Sequence, residues 1–218
     1  MHEHKIVEYL GMHFHLDTIY MSILSSLIVL LLAFLATRNL QIIPKGRLQN
    51  VVEMIVEAWL DQLDNNIGPK GRMVAPLIIT LFLFLLIANW VGLVPGLASP
   101  TNDINCALGL ALVVVLVVNV LGIKEKGIVG HFSHFFKPHF LFLPINLIEE
   151  IAKPVTLSAR LFGNILAGEI LIVVLTKLVP YFIPSIWLAF SVFVGIIQAG
   201  IFTMMSMTYL ANALQDHH

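Results

Sequence analysis

The chain has 218 residues, 58% of them hydrophobic and 11% charged, with a formal net charge of -1 and a mean hydropathy of +0.92. Soluble domains carry about 25% charged residues, so lipid is the expected solvent and one membrane unit is expected rather than several soluble domains. The near-zero charge speaks against a nucleic-acid partner, and a single cysteine, Cys106, excludes an internal disulfide or a multi-cysteine metal site.

Residues 1–17 (MHEHKIVEYLGMHFHLD) lack the basic region, apolar core and cleavage site of a signal peptide and read as an outer tail. A membrane helix needs about 20 mostly apolar residues, and 18–37 supplies the first without a charge. Residues 45–66 differ. Leu48, Val51, Val52, Ile55, Val56, Trp59, Leu60 and Leu63 recur at helical spacing, with Glu53, Glu57, Asp61 and Asp64 between them. That pattern predicts an amphipathic helix at the membrane interface. A second span covers 73–94, closed by Pro95-Gly96, and a third covers 104–123, followed by Lys124-Glu125-Lys126. Residues 127–138 (GIVGHFSHFFKP) read as an inner loop or hairpin. Two longer apolar stretches, 140–176 and 183–214, complete the chain. A helix of about 35 residues is roughly 50 Å long, against about 30 Å of hydrocarbon. Tilting or kinking is the usual response to such mismatch. The predicted fold class is therefore all-α and membrane-integral: about five membrane helices, an amphipathic interfacial helix, and a long final hairpin.

Basic residues set the expected orientation. Arg38, Lys45, Arg47, Lys70 and Arg72 lie between the first two spans, and Lys124, Lys126 and Lys137 follow the third. Both loops are expected inside, with the N-terminus outside and the C-terminus in the cytoplasm. Lys177 is a lone exception on the outer side.

The first three spans contain no charge. The stretch 140–176 holds Glu149, Glu150, Lys153, Arg160 and Glu169, with Thr156, Ser158 and Asn164. A charge inside a membrane costs at least about 2.5–3.5 kcal/mol on insertion scales, so such residues are functional candidates by default. On a helix, Glu149, Lys153, Thr156, Arg160, Gly163 and Asn164 share one face. Glu149 and Lys153 are placed for an i,i+4 ion pair. Arg160 has no acidic neighbour one turn away. Glu169 is nine residues on, about half a turn round and roughly 13 Å along the axis. Arg160 is permanently charged and carries no proton at neutral pH. It can repel cations and attract a carboxylate, while Glu169 can take up and release a proton. Such a pair suits ion translocation. A snorkelling arginine is the structural alternative, but Arg160 lies far inside the stretch.

Gly163 and Ala167 offer a small-xxx-small spacing for close helix approach. Gln198 is the one large polar group in the middle of the last stretch, as helix-to-helix glue or as a relay. Asp103 is either a plain N-cap or a polar residue at a channel mouth. Cys106 reads as a small apolar filler. Nine histidines lie in the tail, the inner loop and the last two positions, without the defined set a zinc site needs. No phosphate loop or nucleophile elbow is present, so neither cofactor nor metal nor bond-making catalysis is expected.

The run from Lys153 through Arg160-Leu-Phe-Gly-Asn164 to Ala-Gly-Glu169 resembles subunit a of F-type ATP synthases, the static half of a rotary membrane motor. Asn89–Pro95, Asp103-Ile-Asn105, Gln198-Ala199 and Tyr209-Leu210 extend the similarity over most of the chain. The resemblance implies that Arg160 is the essential arginine facing the carboxylates of a rotating c-ring. It implies that Glu169, Asn164, Gln198 and Asp103 line or support two offset half-channels, and that the long hairpin is strongly tilted around the ring. Partners implied are c-ring subunits, subunit b and the rest of the complex. The implied function is ion movement, most readily of protons, coupled to ATP synthesis in a bacterial plasma membrane; the expected location also rests on the absence of a transit segment. Some family members carry a histidine where this chain has Ser191, so no imidazole relay is expected there. A self-sufficient transporter would be expected to pair two inverted halves with broken helices, which this chain does not show. A membrane scaffold would gain nothing from an unpaired arginine.

Overall fold

Continuous apolar runs in lipid must satisfy their own backbone, which favours helices. The computed structural model describes residues 6–9, 12–38, 46–94, 97, 99–133, 143–179 and 182–214. Within these, strands β1 (Ile6–Tyr9) and β2 (Met12–His15) form an antiparallel hairpin in the segment read as a tail. Six helices follow: α1 (Leu16–Thr37), α2 (Arg47–Asn66), α3 (Ala75–Val91), α4 (Ile104–Ser133), α5 (Leu143–Leu178) and α6 (Ile183–Leu214). Two 3₁₀ turns, Pro69–Met73 and Pro100–Asn102, precede α3 and α4. Several expected features lie outside the described residues: the Pro95-Gly96 stop, positions 134–138 of the inner loop, 140–142 of the fourth stretch, and the histidines at 2, 4, 134, 139, 217 and 218.

Four helices are long and apolar enough to cross a membrane: α1, α4 to Gly127, α5 and α6. The chain is an all-α membrane protein built on these. α3 has 17 residues, about 25 Å, and is shorter than the expected 73–94. Its first turn is taken over by the 3₁₀ turn ending at Met73, and Gly92 caps its other end. α4 continues beyond the expected 123, because Lys124–Lys126 remain helical, and breaks at Gly127, whose φ of 71° favours glycine. α5 and α6, with 36 and 32 residues, reach about 54 Å and 48 Å.

Along α2, Trp59 and Leu63 turn inward, and Trp59 packs at a tilt of 54° against Phe82 of α3, with 5.1 Å between ring centroids. Leu48, Val51 and Met54 remain exposed on the same helix. The core joins these residues to Ile78 and Leu85 of α3, Val114 of α4, Leu157 and Leu161 of α5, and Phe202 and Leu210 of α6. α3 and α6 come especially close at Gly195, where an added Cβ would lie 3.3 Å from the Asn89 Cβ.

At one end of the bundle, ion pairs tie the turn Pro69–Met73 to its neighbours. Arg72 Nη2 donates to Asp64 Oδ2 at 2.9 Å and Nε to Oδ1 at 3.3 Å. Lys70 pairs with Glu125 of α4. The Arg72 guanidinium, by its hydrogen bonds first and its charge second, holds the Asp64 carboxyl below the usual carboxylate range. Such a carboxylate adds stability above its unfolded pKa and loses it as pH falls through the lowered one. Acidification through that range should therefore free the end of α2 and speed amide hydrogen exchange over residues 66–73. Asp64→Asn should show the faster exchange already at neutral pH.

Candidate functional site

α5 carries the polar residues, and its sequence decides which of its sides is covered. Leu157, Ser158 and Leu161 are buried, and α5 packs on α4, α6 and the turn Pro100–Asn102. Only 6% of its most apolar window is buried, against 28% for α4 and α6. Thr156, Arg160, Gly163 and Ala167 are exposed, and a Cβ added at Gly163 would meet nothing within 4 Å. The small residues expected to admit a close helix thus lie on an exposed side, with open space at Gly163.

Arg160 makes no hydrogen bond or ion pair with any described residue. The charges before it are matched. Lys153 Nζ lies 2.7 Å from Glu150 and 3.9 Å from Glu149, so the i,i+3 partner is nearer than the expected i,i+4 one. The same ammonium stands over the Tyr209 ring of α6, 5.7 Å from its centroid, an attraction of cation to ring face. Pro154, inside α5, lacks the N–H that would bond the Glu150 carbonyl.

Glu169 is held by a residue that sequence reasoning missed. Asn102 Nδ2 donates to Glu169 Oε2 at 2.7 Å, across 67 positions of chain. Asn102 sits beside Asp103, whose charge drew attention to itself; a turn rich in Pro, Thr, Asn and Asp was the available signal. Asp103 caps α4, its Oδ1 accepting the Asn105 N–H at 2.9 Å, while Oδ2 accepts the Thr18 hydroxyl of α1 at 3.2 Å. Asn105 enters this arrangement through its backbone. Ser22 of α1 approaches the Cys106 sulfur at 3.7 Å.

The turn that carries Asn102 is fixed by a buried network. Asn89 Nδ2 of α3 donates to the Gly195 carbonyl of α6 at 3.1 Å. Thr101 Oγ1 lies 3.3 Å from Asn89 Oδ1 and 2.7 Å from Ser99 Oγ, and Ser99 Oγ lies 3.1 Å from the Ala88 carbonyl. Two hydroxyl hydrogens therefore serve three contacts.

The remaining candidates are looser. Asn164 is half-buried and has no hydrogen-bond partner among the described residues. Gln198 is buried on α6, with Nε2 lacking a partner among the described residues. Ser191 bonds back to the Trp187 carbonyl at 2.9 Å. Three buried side-chain atoms lack partners among the described residues: Ser25 Oγ, Asn102 Oδ1 and Gln198 Nε2. No group of three His, Cys, Asp or Glu that could hold a metal occurs among the described residues. Chemically, the arrangement offers a fixed cation on an open face, a titratable carboxylate held by an amide, and polar atoms with spare bonding capacity.

Comparison with known proteins covers nearly the whole chain. The sequence profile of the family described as ATP synthase A chain matches residues 19–211. ATP synthase subunit a of Desulforamulus reducens is 43% identical over 96% of this chain and 84% of its own length. That of Moorella thermoacetica is 38% identical over 94% and 96%, and that of Mycobacterium tuberculosis 38% identical over 99% and 95%.

Gly92 lets the chain return this tightly: a Cβ there would lie 2.4 Å from the Ser99 Cβ and 2.9 Å from its Cα. Gly92→Ala should destabilise the protein by about 1–3 kcal/mol through overpacking, read as a lower melting temperature in detergent. Gly200→Ala, with nothing within 4 Å, should leave the melting temperature unchanged or raise it.

Proposed function

Because the chain belongs to the ATP synthase A chain family, we propose that it conducts ions through two offset half-channels that meet at Arg160 against a rotating c-ring. As a member of that family it is a non-catalytic, multi-pass membrane subunit of the F0 sector, and proton translocation coupled to ATP synthesis is the family's work. The finer reading concerns how this chain does it. An ion enters from outside past Asp103, Asn164, Glu169 and Gln198 and neutralises a ring carboxylate. The neutral carboxyl then rotates through lipid until it meets the inner half-channel and releases the ion. Arg160 stands between the two paths and keeps the facing carboxylate charged. Glu149, Lys153, Asn105 and Ser191 support this frame.

One observation carries the reading: Arg160 is exposed on an apolar helix and unmatched by any described group of its own chain. A charge in that setting is costly, and a carboxylate on a neighbouring protein offsets the cost. The bare flank of α5 leaves room for that neighbour, and Gly163 opens the closest approach beside the arginine. The excess length of α5 and α6 supports a tilted hairpin wrapped around a ring. Subunit b is the second neighbour proposed, with the exposed face of α1 available to it. The location proposed is a bacterial plasma membrane, with the N-terminus outside and the C-terminus in the cytoplasm, after the distribution of basic residues.

Each elementary charge crossing 100 mV supplies about 2.3 kcal/mol, so several ions must pass per ATP. In reconstituted complexes Arg160→Ala should abolish ATP synthesis driven by an imposed gradient; synthesis at the wild-type rate would refute the role. Glu169→Gln should slow proton conduction about tenfold, the scale of one lost charge-assisted hydrogen-bonding group, while subunit content stays normal on a gel.

A further inference from the structure

The proposed path leaves open what keeps Glu169 in place. Glu169 lies on α5, whose outer half is sparsely covered, and a mobile carboxylate there would be free to seek any cation nearby. The structure gives it one described partner, the amide of Asn102. That bond is short, 2.7 Å, and its acceptor is a carboxylate; such charge-assisted bonds are roughly twice as strong as neutral ones. The donor is not on a flexible loop. Asn102 ends a 3₁₀ turn whose N–H bonds back to the Ser99 carbonyl at 3.0 Å. Ser99 and Thr101 are buried and bonded to Ala88 and Asn89 of α3. Asn89 is in turn bonded to α6 through Gly195. The position of the amide is therefore set by three elements other than α5.

The other half of the same amide is more informative. Asn102 Oδ1 is buried and accepts no hydrogen bond from any described residue. A buried acceptor left empty costs about 1–3 kcal/mol, and buried polar atoms are normally satisfied by protein or by water. A purely structural asparagine would be expected to use both ends. Here one end grips the carboxylate while the other is enclosed without a described donor, so the carboxylate is the one described group that the amide serves.

We infer that Asn102 is a positioning residue for ion transfer at Glu169: its Nδ2–H holds Oε2 and so fixes the direction in which the carboxylate faces. This inference rests on the proposed role of Glu169 in the conduction path. No bond to carbon changes. A proton passes from a water arriving from outside to a carboxylate oxygen, that water taking a replacement proton from the next water outward. The amide also keeps Glu169 turned to the outer turn, on the opposite side of α5 from Arg160 and roughly 13 Å along the axis, so the two charges do not neutralise one another.

The test exchanges amide and carboxylate across the contact. Proton conduction is measured in vesicles containing the complete complex, driven by a potassium diffusion potential, with assembly checked by the content of this subunit. Asn102→Asp keeps the shape, removes the donor and opposes two carboxylates; it should conduct about tenfold more slowly. The double variant Asn102→Asp/Glu169→Gln restores one carboxylate and one amide in the opposite order. It should conduct at least about threefold faster than Asn102→Asp alone, the part of a charge-assisted bond regained. Wild-type conduction by Asn102→Asp, or a double variant no faster than Asn102→Asp alone, overturns the inference. Failure of the proposed path looks different: Glu169→Gln alone would conduct at the wild-type rate. Should Asn102→Asp not assemble, Asn102→Ser is compared with Asn102→Ala. The hydroxyl retains a donor and should conduct measurably faster; equal rates overturn the inference.

Discussion

In hydrocarbon, every polar group must find its partner within protein or trapped water. Between α3, α6 and the start of the turn Pro100–Asn102 the chain meets this condition, with Asn89, Ser99 and Thr101 bonded to backbone and to one another. At Arg160, among the described residues, it does not. The contrast organises the molecule. Bonding capacity gathers where elements of one chain must be locked together, and charge is left unmatched where the chain presents an open side. The same rule explains Lys153, which has two acids and an aromatic face around it. Two cations on one helix face thus have opposite surroundings, and only one of them is available to another molecule.

The amphipathic α2 shows a second use of the interface. Its buried Trp59 and Leu63 join the core, while other apolar side chains of the same helix stay exposed. A helix lying at the membrane surface can therefore belong to the protein on one side and to lipid on another. The ion pairs of Arg72 and Lys70 lie beyond its C-terminal end, among exposed groups where screening leaves single pairs weak. Their value lies in fixing where α3 begins rather than in adding much stability.

Much of this was legible in the residues, for reasons that differ by element. α6 spans Ile183–Leu214, where apolar composition and flanking breaks coincide, so its limits are visible in one dimension. The polar stripe of α5 follows from helical spacing alone. The end of α4 was less visible, because Lys124–Lys126 look like a stop but tolerate helix, and the real break waits for Gly127. The hairpin at Ile6–His15 was overlooked among histidines and acids that mask its alternation. Asn102 could not be found by spacing, because its partner is 67 residues away and only the packing of α5 on the turn brings them together. Likewise the nearer partner of Lys153 depended on rotamers, which spacing leaves open between Glu149 and Glu150.

The cation over the Tyr209 ring carries a mechanical meaning. Lys153 attaches α5 to α6 on one side of Arg160, and the amide bond at Glu169 attaches it to the turn before α4 on the other. Between these two fastenings runs a helical segment of 16 steps, about 24 Å at 1.5 Å each, seated on Leu157 and Leu161 along its back. A sideways push on the guanidinium is thus shared between two polar anchors of different chemistry and an apolar bed. α5 behaves as a beam held at two points, stiff against a load applied to its bare flank.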